Sequence, residues 1–558
     1  MHARSRPTIV LVLAVLATAL FALPSLAADT LVSQGKPATS SSNEDSTLVP
    51  ANAFDGDAAT RWASAEGHDP EWIRVDLGEN HTISRVKLTW EAAYGKTYKI
   101  QTSGDGSTWT DVHSTSAGDG GVDDLTGLSG EGRYVRVYGT ARGTAYGYSL
   151  FEVEVYGSST TPGPTPTPTP TPTAGGPAVP FGSHSIPYAA GMLKPSGGQA
   201  AIDQKVVDYY KKWKAAFVKQ NCGNGWYQVI SPDADHPYVA EAQGYGMVIT
   251  ATMAGADPDA KKIFDGLVKY KLAHPSSINP DLLAAEQDTS CQSVNGGDAA
   301  TDGDLDVAYG LLLADRQWGS SGTYNYKQLA IRHINAIKAD EVNPTTKLMK
   351  LGDWTSSGDQ YYWISRSSDW MADHFRAFRK ATGDTFWDTV RANHQNLIAS
   401  QQATYASGTG LLADFVVNTN TTPKPASGKV LESSNDGKYW WNACRDPWRI
   451  GADAVTSGDA KSLTAARKLN TWIKGKTGGD PNKIATGYAL NGSQLQSGSA
   501  PAFFAPFAVT AMTDSGSQAW LDALWNKMLA TPIETGSYFS ASIQLQVMIT
   551  VTHNHWVP

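Results

Sequence analysis

Thr160-Thr161-Pro162-Gly163-Pro164-Thr165-Pro166-Thr167-Pro168-Thr169-Pro170-Thr171-Pro172-Thr173 divides this sequence in two. Proline fixes φ and donates no N–H, so a Thr-Pro repeat runs as extended polyproline II and acts as a semi-rigid spacer. The hydrophobic period changes across it. Upstream, apolar and polar residues alternate in short runs: Trp72 to Leu77, Val86 to Trp90, Tyr98 to Gln101, Tyr134 to Tyr138 and Phe151 to Tyr156. Gly- and Asp-rich turns separate these runs, which predicts an all-β sandwich. Downstream, apolar stripes recur every 3.6 residues along about a dozen segments: 205–219, 238–254, 258–272, 304–318, 324–339, 368–381, 385–401, 447–456, 459–474, 501–514, 517–529 and 538–550. That pattern predicts an all-α unit, with long loops at 273–303 and 402–444 to display functional groups.

At 558 residues the chain exceeds one hydrophobic core. Ile9 to Leu23 is apolar, follows Arg4 and Arg6, and precedes the small-residue site Ser25-Leu26-Ala27. These features predict a secretory signal peptide and an extracellular, soluble protein with no membrane span. The expected organisation is residues 1–27 signal, 28–157 β module, 158–177 linker and 178–558 helical domain, in a monomer. Export permits one disulfide among Cys222, Cys291 and Cys444, and spacing leaves all three pairings open. Charge excludes one class of partner. With 45 Lys+Arg against 53 Asp+Glu, and a net charge of −8, the chain lacks the basic footprint of a nucleic-acid binder. The 18 Trp and 23 Tyr suit stacking on sugar faces, although most such rings in any protein are core.

Two acidic motifs sit in the helical half. Glu241 opens the apolar run Val239-Ala240-Glu241-Ala242-Gln243-Gly244-Tyr245-Gly246-Met247, where burial would raise its pKa. By spacing alone a Glu at a helix start is more often a capping or first-turn charge. Thr301-Asp302-Gly303-Asp304-Leu305-Asp306 places acids at alternate positions entering a helix. Helix capping and a Ca²⁺ site lacking the full EF-hand series both fit it.

These motifs, together with Cys444-Arg445-Asp446-Pro447-Trp448-Arg449-Ile450-Gly451, resemble glycoside hydrolase family 8 from about Phe181 to Trp556. The resemblance implies an (α/α)6 barrel and inverting endo-hydrolysis of β-1,4-linked chitosan, cellulose, mixed-linkage β-glucan or xylan, with no metal needed for catalysis. Carried over by motif, Glu241 is the general acid and Asp302 holds and distorts the sugar before the cleaved bond. The base departs from the cellulase-like pattern. Those members carry Asp where this chain has Asn442 in Trp441-Asn442-Ala443-Cys444. A chitosanase- and lichenase-rich branch has Asn there and takes its base from a Glu in the preceding loop. Glu432 matches that placement, with Asp436 and Asp414 as fallbacks, and Arg366-Ser367-Ser368-Asp369 also resembles that branch. Trp226, Tyr245, Trp354, Tyr361 and Trp448 are candidate groove aromatics. Tyr245 and Trp354 adjoin polar motifs, and Arg449 is a further expected substrate contact.

Asn52-Ala53-Phe54-Asp55-Gly56-Asp57-Ala58-Ala59-Thr60-Arg61-Trp62 and Tyr146-Gly147-Tyr148-Ser149-Leu150-Phe151-Glu152 resemble the discoidin (F5/8 type C) jelly-roll fold and carbohydrate-binding module family 32. That resemblance implies a structural Ca²⁺ at Asp57, Thr60 and Glu152. Trp90-Glu91-Ala92-Ala93-Tyr94 is similar to the chitosan-binding type, which puts Glu44, Arg61, Glu66 and Glu91 around the sugar. Carboxylates pair well with glucosamine ammonium groups. The expected protein is therefore a secreted modular endo-chitosanase that also cuts β-glucan. The alternatives are an endoglucanase or lichenase using the same residues, and a non-catalytic polysaccharide-binding protein whose base is lost.

Overall fold

The computed structural model describes residues 30–159, 176–232 and 237–558. The predicted signal segment 1–27 and most of the linker lie outside the described residues. The chain divides into two units, each described by itself.

The first unit is sheet-rich. Its strands follow the order Thr30–Leu31, Ser149–Ser159, Glu71–Trp90, Val122–Arg142, Gly95–Ser103 and Thr110–Thr115, with neighbours antiparallel. Period-two alternation turns Ile73, Val75, Leu77, Val86, Leu88 and Trp90 inward to join Trp62, Tyr98 and Leu150 in one core. The runs 72–77 and 86–90, read as separate strands from the sequence, are continuous here. The register shifts between Asp76 and His81, where Gly78 has φ 90°, so the chain bends without ending the ladder.

The second unit is helical. Its helices are α1 (Gln199–Phe217), α2 (Ala240–Thr252), α3 (Ala260–Ala273), α4 (Thr301–Trp318), α5 (Tyr326–Ala336), α6 (Ala372–Thr382), α7 (Phe386–Thr404), α8 (Asp446–Ser457), α9 (Ala460–Thr477), α10 (Pro501–Phe504), α11 (Pro506–Ala511), α12 (Gln518–Ala530) and α13 (Tyr538–Val551). Packing runs from α2 to α4, α6, α8, α11, α13 and back to α2, which closes a ring of six. Within the ring α2 and α13 expose almost nothing, whereas α1 and α3 outside it bury one stripe. The stripe at 501–514 is split into α10 and α11 at Pro506, which supplies no N–H. Helix α4 starts at Thr301, so Asp302 lies in its first turn.

The entering and leaving segments of this unit meet. The Gly182 N–H donates to Asn554 Oδ1 at 2.8 Å, His184 Nδ1 lies 3.1 Å from the His553 carbonyl oxygen, and the Tyr309 hydroxyl donates to the Trp556 carbonyl at 2.9 Å. Cys222 and Cys291 form a disulfide beside Trp226, Tyr238 and Tyr270, leaving Cys444 free and buried. No helix among the described residues is long and apolar enough to cross a membrane.

Candidate active site

The N-terminal turns of two neighbouring ring helices bring the acids together. Glu241 is in the first turn of α2 and Asp302 in that of α4, which pack closely because Gly244 and Gly303 lie at the crossing. A Cβ on Gly303 would stand 2.6 Å from that of Ala240, and one on Gly244 would stand 2.8 Å from the Gly303 carbonyl oxygen. Arg445, the residue preceding α8, completes the cluster. Its Nη1 donates to Glu241 Oε1 and lies 3.1 Å from Asp302 Oδ2.

One helical turn further on the pairing repeats. Asp306 on α4 accepts two bonds from Arg449 on α8, at 3.1 and 2.6 Å. The two Asp–Arg rungs differ in surroundings. Asp306 is fully buried and also bonded by His374 Nε2 at 2.8 Å, so Arg449, expected on substrate, is a structural brace behind the site.

Arg366 and Asn442 tie in the loop carboxylate. Arg366 Nη1 lies 2.8 Å from Asp302 Oδ2, and its Nη2 lies 3.9 Å from Glu432 Oε1. The Asn442 amide donates to Glu432 Oε2 at 2.7 Å, while its Oδ1 accepts from Arg445 Nη2 at 2.9 Å. Asp302, Arg366, Glu432, Asn442 and Arg445 therefore form a closed circuit, with Glu241 attached through Arg445.

Environment separates the three acids. Burial raises the Glu241 carboxyl above its ordinary range; Arg445 opposes that rise and the nearby Asp302 adds to it. Tyr245 and Tyr538 donate to its two oxygens at 3.0 and 2.7 Å. Burial works the same way on Asp302, but Arg366 and Arg445 outweigh it and hold this carboxylate down at about 2. Glu432 is the open one, with 44% of its side chain exposed.

The fallback acids are occupied. Asp436 is fully buried and accepts the backbone N–H groups of Val430, Leu431, Glu432 and Ser433 at 2.7–3.1 Å, so it shapes the turn that presents Glu432. Asp414 is buried under the N–H groups of Trp440 and Ala443, and burial pushes it up to about 7.

The aromatic expectations need correction. Tyr245 is fully buried, because the i, i+4 spacing on α2 aims its hydroxyl at Glu241. Trp448 is also buried, with the Arg449 guanidinium 3.9 Å from its ring centroid. Trp226 packs edge-on to Tyr270 beside the disulfide, and Trp354 is half-buried, edge-on to Tyr361 at 5.3 Å. Sequence reasoning missed Trp441, 37% exposed next to Asn442 and 4.9 Å from Phe503, and Phe539, which flanks Arg445. The pair Trp440-Trp441 directly before Asn442 was the available signal.

In the first unit Arg61 Nη1 lies 3.9 Å from Glu44 and donates to Ser149 Oγ at 2.7 Å. The Glu91 N–H bonds the Ser149 carbonyl at 3.0 Å while its carboxylate accepts the Ala93 N–H at 3.1 Å, so Arg61 and the Glu91 backbone meet at Ser149. Glu66 is exposed nearby in sequence, just beyond the Trp62–Ala63 strand. The expected metal ligands are only partly gathered. Asp57 Oδ1 turns back to the Ala59 N–H, and it is Asp55 that faces Glu152 and accepts from the Thr60 hydroxyl at 2.8 Å. Glu152 Oε1 is buried with no hydrogen-bond partner among the described residues. Burial, then the Asp55 charge, push Glu152 up to about 7.

Comparison with known proteins follows the same division. The F5/8 type C domain model matches residues 37–153, and the glycosyl hydrolases family 8 model matches residues 186–553. A beta-glucanase of Niallia circulans is 44% identical over 381 residues, 68% of this chain and 92% of that protein. The structure of a beta-1,3-1,4-glucanase from Paenibacillus sp. X4 is 44% identical with a TM-score of 0.66, covering 68% of this chain and 100% of that one. A chitosan-binding module from a chitosanase/glucanase of Paenibacillus sp. IK-5 is 53% identical over 23% of this chain and 99% of that module, with a TM-score of 0.23. The chain thus belongs to glycosyl hydrolases family 8 and carries an F5/8 type C domain ahead of its catalytic unit.

Proposed function

We propose that this protein is a secreted, inverting endo-β-glucanase acting on β-1,4- or mixed β-1,3-1,4-linked glucan, with its helices forming an (α/α)6 barrel. The closed packing ring of six helices supports the barrel. The carrying observation is the circuit that joins Glu241, Asp302 and Glu432 through two arginines and Asn442. A guanidinium and a carboxamide stand between Glu241 and Glu432, which favours the wide arrangement, roughly 6.5–9.5 Å, that admits a water.

Glu241 gives its proton to the glycosidic oxygen as the anomeric C–O bond breaks. On the opposite face a water forms the new C–O bond and yields its proton to Glu432. Asp302, kept ionised, accepts hydroxyl hydrogen bonds from the sugar at the cleaved bond and balances its developing positive charge.

Two arginines neutralise most of the acidity around the cleft, so a neutral glucan meets no desolvated excess charge. The beta-glucanase and beta-1,3-1,4-glucanase relatives point the same way. Chitosan is the second reading, favoured by the carboxylates Glu44, Glu66 and Glu91 of the N-terminal domain, which would capture glucosamine polymers. Measuring new reducing ends from lichenan, carboxymethyl cellulose and chitosan tests the order: lichenan is expected to be cut fastest. A chitosan rate above the lichenan rate would reverse the preference, and an inert enzyme on all three would leave a binding protein.

The N-terminal domain would hold Ca²⁺ at Asp55, Thr60 and Glu152, since a hard cation resolves the buried, partnerless Glu152 oxygen facing Asp55. Without it, a carboxyl raised to about 7 stabilises the fold only at low pH, and that stability is lost as pH rises from the ordinary carboxylate range through about 7. Adding Ca²⁺ after chelation is therefore expected to raise the melting temperature at pH 7.5, more weakly at pH 5, and not at all in Glu152→Gln. Identical melting with and without Ca²⁺ at both pH values would remove the site.

A further inference from the structure

We infer that a groove beside the catalytic carboxylates is a further binding site for neutral β-glucan, reading past the bond that is cut. The inference deepens the glucanase reading and rests on it for the location of the cleft. The groove holds about 610 Å³ and is lined by Tyr361, Trp363, Asn418, Asn420, Thr421 and Lys429. That volume suits a short oligosaccharide.

Its position follows from strand register. Ser365–Arg366 pairs with Phe415–Val417, which pairs with Lys424–Pro425. Side chains two residues apart in a strand share a face, roughly 7 Å apart. Arg366, which pairs with Asp302 and reaches toward Glu432, lies over the Phe415 ring at 5.7 Å. Ile364 and Val417, which also line the groove, are two residues from that pair. Val430, on the third side, is two residues before Glu432. Two paired segments thus run from Arg366 and Phe415 to the groove, and the turn that Asp436 gathers brings Val430 to its edge beside Glu432.

The walls are built for an uncharged sugar. Tyr361 and Trp363 are half-buried, and the Trp363 ring stands edge-on to Tyr362 at 4.7 Å. The Trp363 carbonyl accepts the Thr419 N–H at 3.2 Å, which pins the turn after Phe415–Val417 beside the indole. Asn418 starts that turn with φ 58°, and its carbonyl accepts the Thr421 N–H at 3.0 Å. Exposed carboxamides and a hydroxyl then face the groove, groups that both donate to and accept from sugar hydroxyls. No carboxylate lines it, and Asp359 is turned to the Tyr361 N–H at 2.6 Å. Lys429 is the one charged residue of the lining, so a glucosamine ammonium meets like charge there while a glucosyl unit does not.

The test uses the full chain. Trp363→Ala and, in case that variant is unstable, the exposed Asn420→Ala are compared with wild type on lichenan and on a short oligosaccharide spanning only the cleaved bond. Both variants are expected to raise the lichenan KM, about fivefold or more for Trp363→Ala, with kcat and the short-substrate KM within twofold. Asn420→Asp is expected to lower the chitosan KM relative to that of lichenan. Unchanged lichenan KM in both alanine variants, or equal losses on short and long substrates, would overturn the site. Affinity electrophoresis through lichenan gels, comparing Glu241→Gln with Glu241→Gln/Trp363→Ala, reads binding without turnover: reduced retardation of the double variant supports the groove, and equal retardation rejects it. An inactive wild type would then count against the glucanase reading alone.

Discussion

Glu241→Gln is expected to cut kcat on lichenan by roughly 10²–10⁴-fold, the usual worth of a positioned general acid. Glutamine keeps the shape and still meets Tyr245, Tyr538 and Arg445, so the change removes the proton and little else. Leaving-group chemistry gives a sharper readout. A glycosyl fluoride departs without protonation, so the variant should retain most of its rate on that substrate. In the wild type the raised Glu241 carboxyl must stay protonated, so activity falls on the alkaline side as pH passes its pKa. That limb should vanish on the fluoride. Full lichenan activity in Glu241→Gln would end the acid assignment.

Glu432→Gln should lose a similar factor, but on polymer and fluoride alike, because water activation is needed whichever group leaves. Acid and base thereby separate by substrate rather than by size of effect. Asp414→Asn serves as the contrast: its carboxylate is buried and already held by the Trp440 and Ala443 N–H groups and the Asn442 amide. If Glu432→Gln stays active while Asp414→Asn does not, the base is Asp414 and the loop has a different arrangement when substrate is bound.

Much of the architecture is legible in the sequence. Periodicity announces the two units, and the motifs entering α2 and α4 are local, but spacing alone leaves Glu241 and Asp302 readable as helix-capping charges and only the family resemblance gives them roles. What escaped was contact at long range. Arg445 lies 204 residues from Glu241, and Tyr538 lies 297 residues from it, separations that leave no trace in a window of twenty residues. The aromatic errors have another cause. Adjacency to a polar motif singles out Tyr245, yet that side chain follows the helix inward, and Trp448, a candidate from the wider set of aromatics, packs beneath Arg449. Likewise the discoidin resemblance names Asp57 as the ligand, while the turn points Asp55 toward Thr60 and Glu152.

The handshake of residues 182–184 with 553–554 matters to an engineer more than to the chemistry. It brings two segments 369 to 372 residues apart in sequence within hydrogen-bond reach of each other. Joining residue 182 to residue 554 through a short splice and opening the helical unit at an exposed turn elsewhere should therefore leave its packing intact.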